Sequence, residues 1–188
     1  MKYGVILTRA QPIHKGHIDT IKEALKENDK VLLIIGSSNK RGTERNPISI
    51  DIREHIVRNA LKDCALEDHV DILTLPDWST EKAYQYAKEW GNFFYYNVVR
   101  MIERKEFTMY YNDDVSIVKN WFNDVLKERV TVKQTGRKRD VSATKIREAL
   151  RNQNDTYLKE MLCESTYAIK DILRDMLMNC KNEDFIMP

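Results

Sequence analysis

Val31, Leu32, Leu33, Ile34 and Ile35 follow one another without a polar break, and Gly36 ends the run. A strand with one wet face alternates apolar and polar residues. Five consecutive apolar side chains therefore predict a strand covered on both faces, as in a parallel sheet between two layers of helices. The flanking segments agree. Val5-Ile6-Leu7 predicts a buried first strand, and Ile18, Ile21 and Leu25 recur at helical spacing, predicting a helix over 15–28. Strand, helix and strand in this order make a βαβ unit, right-handed by default.

The alternation continues along the chain. Ile52, Ile56, Val57, Ala60 and Leu61 mark a second helix entered through Asn46-Pro47, and residues 70–75 a third strand stopped by Pro76. Residues 79–104 combine helix formers and aromatics, with a break expected at Gly91. Residues 107–111 read as a fourth strand and 130–132 as a fifth, with Val115, Val118, Phe122 and Val125 on a helix between them. The fold class predicted is α/β, a Rossmann-like doubly wound parallel sheet of about five strands with helices on both faces. After residue 141 the strand signal stops. Ile146, Leu150, Tyr157 and Leu158 fit short helices, and Ile169, Ile172, Leu173, Met176, Leu177 and Cys180 fit one amphipathic helix. Residues 1–150 thus form the main domain, and 151–188 a helical C-terminal extension of it.

Composition narrows the function. The 31 Lys and Arg nearly cancel the 29 Asp and Glu, leaving +2 over 188 residues, so bulk charge does not drive nucleic-acid binding and an anion site must come from local clusters. Cys64, Cys163 and Cys180 are far apart, odd in number and without C-x-x-C spacing. That excludes a disulfide framework and disfavours a zinc site; reduced thiols are expected. The N-terminal apolar run is too short for a signal peptide, and no stretch reaches the ~18 residues of a membrane span, so a soluble cytoplasmic protein is expected.

Open α/β sheets bind ligands beyond the carboxyl ends of their strands. The first such end carries Arg9-Ala10-Gln11-Pro12-Ile13-His14-Lys15-Gly16-His17. Two imidazoles at a helix N-terminus, beside a glycine that admits close approach, suit phosphate oxygens, with Arg9 and Lys15 adding charge. Two histidines could also ligate a metal, but no third ligand is near. His17 could equally be packing alone. A second cluster, Ser142-Ala143-Thr144-Lys145-Ile146-Arg147, follows the basic run Arg137-Lys138-Arg139. Ser142 is a natural helix cap. Capping leaves Thr144, Lys145 and Arg147 unexplained, and two anion sites on one sheet suggest a polyphosphate between them.

His14-Lys15-Gly16-His17 after a first strand, joined to Ser142-Ala143-Thr144-Lys145-Ile146-Arg147, resembles the H-x-G-H nucleotidyltransferase superfamily with its I-S-x-T-x-x-R motif. Gly36-Ser37-Ser38-Asn39, Thr43, Arg45-Asn46-Pro47 and Arg53 resemble the middle stretch of nicotinamide-nucleotide adenylyltransferases, archaeal or Nudix-fused bacterial, over residues 3–150. The resemblance implies transfer of AMP from ATP to nicotinamide mononucleotide, giving NAD and pyrophosphate. It implies His14, His17 and Arg147 as catalytic groups, with Arg9, Lys15, Gly16, Arg45, Arg53, Ser142 and Thr144 on ATP and its phosphates. It places Gly36, Ser37, Asn92 and Tyr95 on the acceptor, with Tyr95 standing where the family stacks a Trp on the pyridine ring; Trp90 and Trp78 are alternatives. Lys88 replaces a frequent Asp, and Ile48 a frequent Phe. Mg²⁺ is expected to ride on the ATP phosphates, with no metal site in the chain itself. No nucleic-acid or membrane partner is implied, and the oligomeric state stays open, a homo-oligomer included.

Other readings fit less well. Phosphopantetheine adenylyltransferases usually carry Thr in place of His14, and alcohol-phosphate cytidylyltransferases a shorter link between Gly136 and Ser142. Class I aminoacyl-tRNA synthetases need more chain than 188 residues. A non-catalytic NAD-sensing regulator would not need the full set His14, His17, Ser142, Thr144 and Arg147.

Overall fold

The computed structural model describes residues 1–77, 87–112, 115–181 and 185–186. Strands β1 (Tyr3–Thr8), β2 (Lys30–Ile35), β4 (Val70–Thr74), β5 (Phe107–Tyr111) and β6 (Val130–Gln134) form one all-parallel sheet in the order β4-β2-β1-β5-β6. These are the five strands the apolar runs predict. The chain winds outward from β1 to β4, then crosses back and winds outward from β5 to β6. The carboxyl ends of β1 and β5 therefore flank the point where the winding reverses, the usual ligand position in such sheets.

The unbroken run in β2 is accounted for by two cores. Val31, Leu33 and Ile35 point into one, and Leu32 and Ile34 into the other. Helices α1 (Lys15–Leu25), α2 (Ile50–Asp63), α6 (Ala143–Arg151), α7 (Asp155–Met161), α8 (Glu164–Ala168) and α9 (Lys170–Met178) cover the first face. Helices α3 (Ala87–Ile102), α4 (Val115–Lys119) and α5 (Asp124–Lys127) cover the second. Burying side chains of this size on both faces, at about 25 cal/mol per Å² of apolar area, is what holds the sheet. The helices after residue 150 share the first core with α1 and α2 through Leu158, Leu162, Leu173 and Leu177.

Local boundaries differ from the sequence expectations in four places. The first helix ends at Leu25. The helix expected over Val115–Val125 is two short ones, α4 and α5, because the Asn123 side chain accepts the Leu126 N–H and starts a new helix, leaving Val125 exposed. The last amphipathic stretch starts at Lys170, with Ile172 on the wet side. A two-stranded antiparallel ribbon, β3 (Lys40–Arg41) with β7 (Phe185–Ile186), has too few residues to leave a sequence signal.

Gly91 does not break its helix; α3 runs through it. Its role is steric. A Cβ at position 91 would lie 1.8 Å from the Trp121 carbonyl oxygen, so only glycine lets α3 approach the turn after α4. Gly91→Ala must push that backbone away. We expect a loss of about 1–3 kcal/mol, a fall in melting temperature of roughly 2–12 °C in a chain of this size. Thermal unfolding followed by circular dichroism measures it, and an unchanged midpoint would contradict the packing of α3 on Trp121.

Candidate active site

The segment between β1 and α1 places the first motif. His14 is the N-cap of α1, with extended backbone angles, and is buried. Its backbone N–H donates to Nδ1 of His17 at 3.2 Å. A ring nitrogen that accepts carries no proton, so neutral His17 bears its proton on Nε2, which faces Thr8 Oγ1 at 2.8 Å. The two imidazoles stack with centroids 3.8 Å apart. Burial holds His17 down to about 4, and burial, then the charges of His17 and Arg137, hold His14 well below the usual range. Both rings are neutral near pH 7.

The second motif packs directly on the first. Ser142 caps α6 by accepting the Lys145 N–H at 3.2 Å. Val141, just before it, lies against the first turn of α1: a Cβ on Gly16 would come within 2.8 Å of Val141 and 3.1 Å of the His14 ring. Two helix N-termini, each with unpaired N–H groups and a positive dipole end, thus meet at one glycine. Arg147 reaches back across this contact. It donates to the Gln11 carbonyl at 3.2 Å and to Thr144 Oγ1 at 3.4 Å. Gln11 is itself fixed by two hydrogen bonds between its side-chain amide and the Ile48 backbone, at 3.0 and 2.9 Å. Burial pushes Arg147 below the ordinary guanidinium value, as do the charges of Arg151, Arg9 and Arg45. Arg9, Arg45 and Arg151 thus all bear on the Arg147 guanidinium, and Arg151 is itself paired with Glu44 at 3.1 Å.

A shallow groove runs from this point between α1 and the segments that follow β5 and β6. Gly16, Thr20, Asn112, Thr135, Arg137 and Val141 are among its walls. Its outer rim is closed by ion pairs, Lys138 with Glu23 at 2.7 Å and Arg139 with Asp19 at 2.7 Å.

Three candidate residues stand elsewhere than expected. Arg53 is fully buried and does not face the arginine cluster with its guanidinium: Nη1 donates to the carbonyls of Arg9 and Gly36, both at 2.8 Å, and Nη2 to that of Ser37 at 2.7 Å. It fastens the ends of β1 and β2 and has no exposed surface for a phosphate. Lys15 donates to the Glu160 carbonyl at 2.7 Å, at the end of α7. Tyr95 is in the second core, stacked on Phe107, with its hydroxyl donating to the Lys105 carbonyl at 2.9 Å, near the amino end of β5. A side chain closed on both faces at the far edge of the sheet offers no surface to a ligand ring. Its helical phase, read from the sequence, did not show this, because the register of α3 on the sheet is a tertiary fact.

Of the other acceptor candidates, two lie at a strand end and the rest of the described ones on α3. Gly36 and Ser37 follow β2, with Ser37 in a left-handed conformation (φ 52°) and its hydroxyl donating to Asp77. Asn92 accepts from Asn123 at 3.4 Å. Trp78 lies outside the described residues. Trp90 is half-buried on the early part of α3, with Trp121 edge-on against it at 4.8 Å. Thr8, Gln11, Asp77, Val141 and Trp121 shape the site without a sequence signal of their own. Among the described residues no group of three or more His, Cys, Asp or Glu could hold a metal ion. No described helix is long and apolar enough to cross a membrane.

Comparison with known proteins agrees with this arrangement. Residues 5–149 match the cytidylyltransferase-like family. A nicotinamide-nucleotide adenylyltransferase from Thermococcus kodakarensis is 30% identical over 148 residues, 78% of this chain and 71% of the relative. One from Saccharolobus solfataricus is 35% identical over 78 residues, 41% of this chain and 45% of the relative, so the match spans less than half of that protein's length. Among solved structures, a bifunctional NMN adenylyltransferase/ADP ribose pyrophosphatase from Francisella tularensis superposes with a TM-score of 0.76 at 21% identity, covering 94% of this chain and 52% of that one. The same protein has been solved with AMP and a manganese ion. The two motifs meeting at Gly16, the five-stranded parallel sheet beneath them and the match over residues 5–149 lead to one assignment: this chain belongs to the cytidylyltransferase-like family.

Proposed function

We propose that this chain is a nicotinamide-nucleotide adenylyltransferase, moving AMP from ATP to nicotinamide mononucleotide. The observation that carries the reading is the meeting of two helix N-termini at Gly16, with the stacked neutral imidazoles of His14 and His17 on one and Ser142, Thr144 and Arg147 on the other. Two helix N-termini facing one place make a ready anion site, and a triphosphate is an anion long enough to bridge them. The names of the T. kodakarensis and S. solfataricus relatives favour this acceptor.

In this reaction a 5′-phosphate oxygen of the mononucleotide attacks the α-phosphorus of ATP. The bond from that phosphorus to the bridging oxygen breaks, and pyrophosphate leaves. A phosphate monoester is already anionic near pH 7, so positioning and charge stabilisation do the work, without a general base. His17 gives up Thr8 and donates from Nε2 to a phosphate oxygen. His14, whose Nδ1 is buried without a partner, lies stacked beside it. Ser142, Thr144 and Arg147, with Arg9 and Arg45, hold the β- and γ-phosphates, and Gly16 with the groove takes the nucleoside. Lys15 and Arg53 act from behind by holding backbone. Mg²⁺ would be held by the ATP phosphates rather than by a carboxylate cluster of the chain, and would supply charge neutralisation there. Gly36, Ser37 and Asn92 border the acceptor, and its ring stacks on Trp90, the half-buried aromatic braced by Trp121.

The deciding assay measures pyrophosphate release with ATP or CTP as donor over a panel of phosphate acceptors. ATP with nicotinamide mononucleotide and Mg²⁺ should yield NAD, with CTP a poor donor; product only from CTP or another acceptor overturns the reading. His17→Ala should cut kcat by about 10²–10³, the usual effect of removing one donor to developing charge.

Trp90→Ala should raise KM for the mononucleotide about tenfold to a hundredfold, with KM for ATP unchanged, as expected for a lost stacking surface. Tyr95→Ala should instead lower the melting temperature and leave the acceptor KM of the folded enzyme alone. The opposite pattern would return the stacking role to Tyr95.

The low histidine values also have a consequence for stability. With His17 at about 4 when folded and near 6.5 when unfolded, the unfolded chain binds more protons between those values. Stability is fully present above pH 6.5, falls as pH drops through the window and levels off near 4. Urea midpoints at several pH values test this, and His17→Gln should flatten the slope.

A further inference from the structure

Cys64 and Cys163 are 99 positions apart, yet the fold brings their sulfurs to 4.0 Å. Each stands at a helix end. Cys64 is the C-cap of α2, and Cys163 the N-cap of α8. The two ends are pinned by a neighbour of each: the Asp63 carboxylate accepts the Ser165 N–H at 2.8 Å and its hydroxyl at 2.7 Å. The sulfurs are thus held face to face by bonds in which neither takes part. Their surroundings differ. Cys163 belongs to the first core, whereas Cys64 is only half-buried. The third thiol, Cys180, contacts the Met176 carbonyl at 3.2 Å.

We propose that Cys64 and Cys163 form an oxidative modification site, a thiol pair that hydrogen peroxide converts into an intramolecular disulfide stapling α8 to α2. The pair needs to close from 4.0 Å to the ~2.05 Å of an S–S bond, a change within reach of side-chain rotation while the helix ends stay pinned. The half-exposed Cys64 sulfur, as thiolate, attacks one peroxide oxygen. The O–O bond breaks, hydroxide takes up the released proton as water, and Cys64 is left as a sulfenic acid. Cys163 sulfur then attacks the Cys64 sulfur; the S–O bond breaks, and the hydroxyl departs with the Cys163 proton as a second water. Two thiols lose two electrons and the peroxide gains them. Burial and the neighbouring Cys64 push the Cys163 thiol up to about 12, which leaves the first attack to Cys64; Cys163 serves the second step by its position, held 4.0 Å from the sulfur it must reach. Lys15 holds the Glu160 carbonyl three residues before Cys163, so the staple would also fix the segment on which the first motif leans.

The test uses the full chain and does not depend on its catalytic activity. After treatment with hydrogen peroxide and removal of the excess, the intact mass should fall by two hydrogens. Unreduced proteolysis should yield one cross-linked peptide pair containing Cys64 and Cys163, with Cys180 still alkylatable. Dithiothreitol should reverse the change. The oxidised chain should melt higher by roughly 5–15 °C, as for a cross-link closing a long loop. Cys64→Ser and Cys163→Ser should each abolish the cross-link. Cys180→Ser, with only the proposed pair left, should go from two free thiols to none. Three free thiols after oxidation of the wild-type chain, a cross-link through Cys180, or a disulfide only between molecules would overturn the proposal. A lower melting temperature of the cross-linked form would do so too, because it would mean that α8 must leave α2 for the bond to form.

Discussion

The site depends on one buried guanidinium. Arg53 projects from α2 into the space under the carboxyl ends of β1 and β2, and its two terminal nitrogens bind three backbone carbonyls there. Burying a charge costs several kcal/mol unless its donors are satisfied; the carbonyls satisfy the two terminal nitrogens, while Nε stays buried without a partner. A planar fork is needed, since an ammonium cannot reach three carbonyls in fixed directions. On either side the chain takes left-handed turns at Ala10 and Ser37, conformations that cost energy for residues with a Cβ and persist only where neighbours hold them. The clamp is therefore what keeps the loop carrying Arg9 to His17 and the loop carrying Gly36 to Asn39 in register.

Electrostatics on this frame run opposite to what a stable resting protein prefers. Two helix N-termini meet beside two histidines; burial keeps His17 unprotonated, and burial with nearby positive charge, Arg137 included, does the same for His14. A neutral imidazole is still a donor, and the tautomer of His17 is set by the backbone N–H of His14. The site thus offers oriented N–H groups without adding further positive charge, which suits an anion whose charge shifts between oxygens during a reaction.

The helices after residue 150 belong to the same construction. Lys15 ties α1 to the end of α7, Arg151 pairs with Glu44 at 3.1 Å beside Arg45, and Arg174 donates to the Leu150 carbonyl at 3.1 Å. Each bond connects this region to a segment of the site. The contact between Cys64 and Cys163 lies in the same interface, so a covalent change there acts on a load-sharing part of the fold.

Much of this was legible in the residue order. Strand and helix identity follow from periodicity over a few residues, and the five strands came from runs such as Val31–Ile35, whose two-sided burial needs no knowledge of the neighbours. The two motifs were visible because each gathers histidines, hydroxyls or basic residues at short spacing beside a helix start. What the sequence could not determine is which way a side chain faces once elements pack. Tyr95 and Trp90 are both aromatics on one helix, and only the register of α3 on the sheet buries the first and leaves the second half open. Arg53 reads as a phosphate ligand until its carbonyl partners, from segments 16 to 44 residues away, are in place. Gly91 reads as a helix breaker until the Trp121 carbonyl is seen against it, and Cys64 and Cys163 as unrelated thiols until α2 meets α8. Local pattern records the free energy of a residue with its chain neighbours and with water. Contacts between distant segments add terms that no short window of sequence contains.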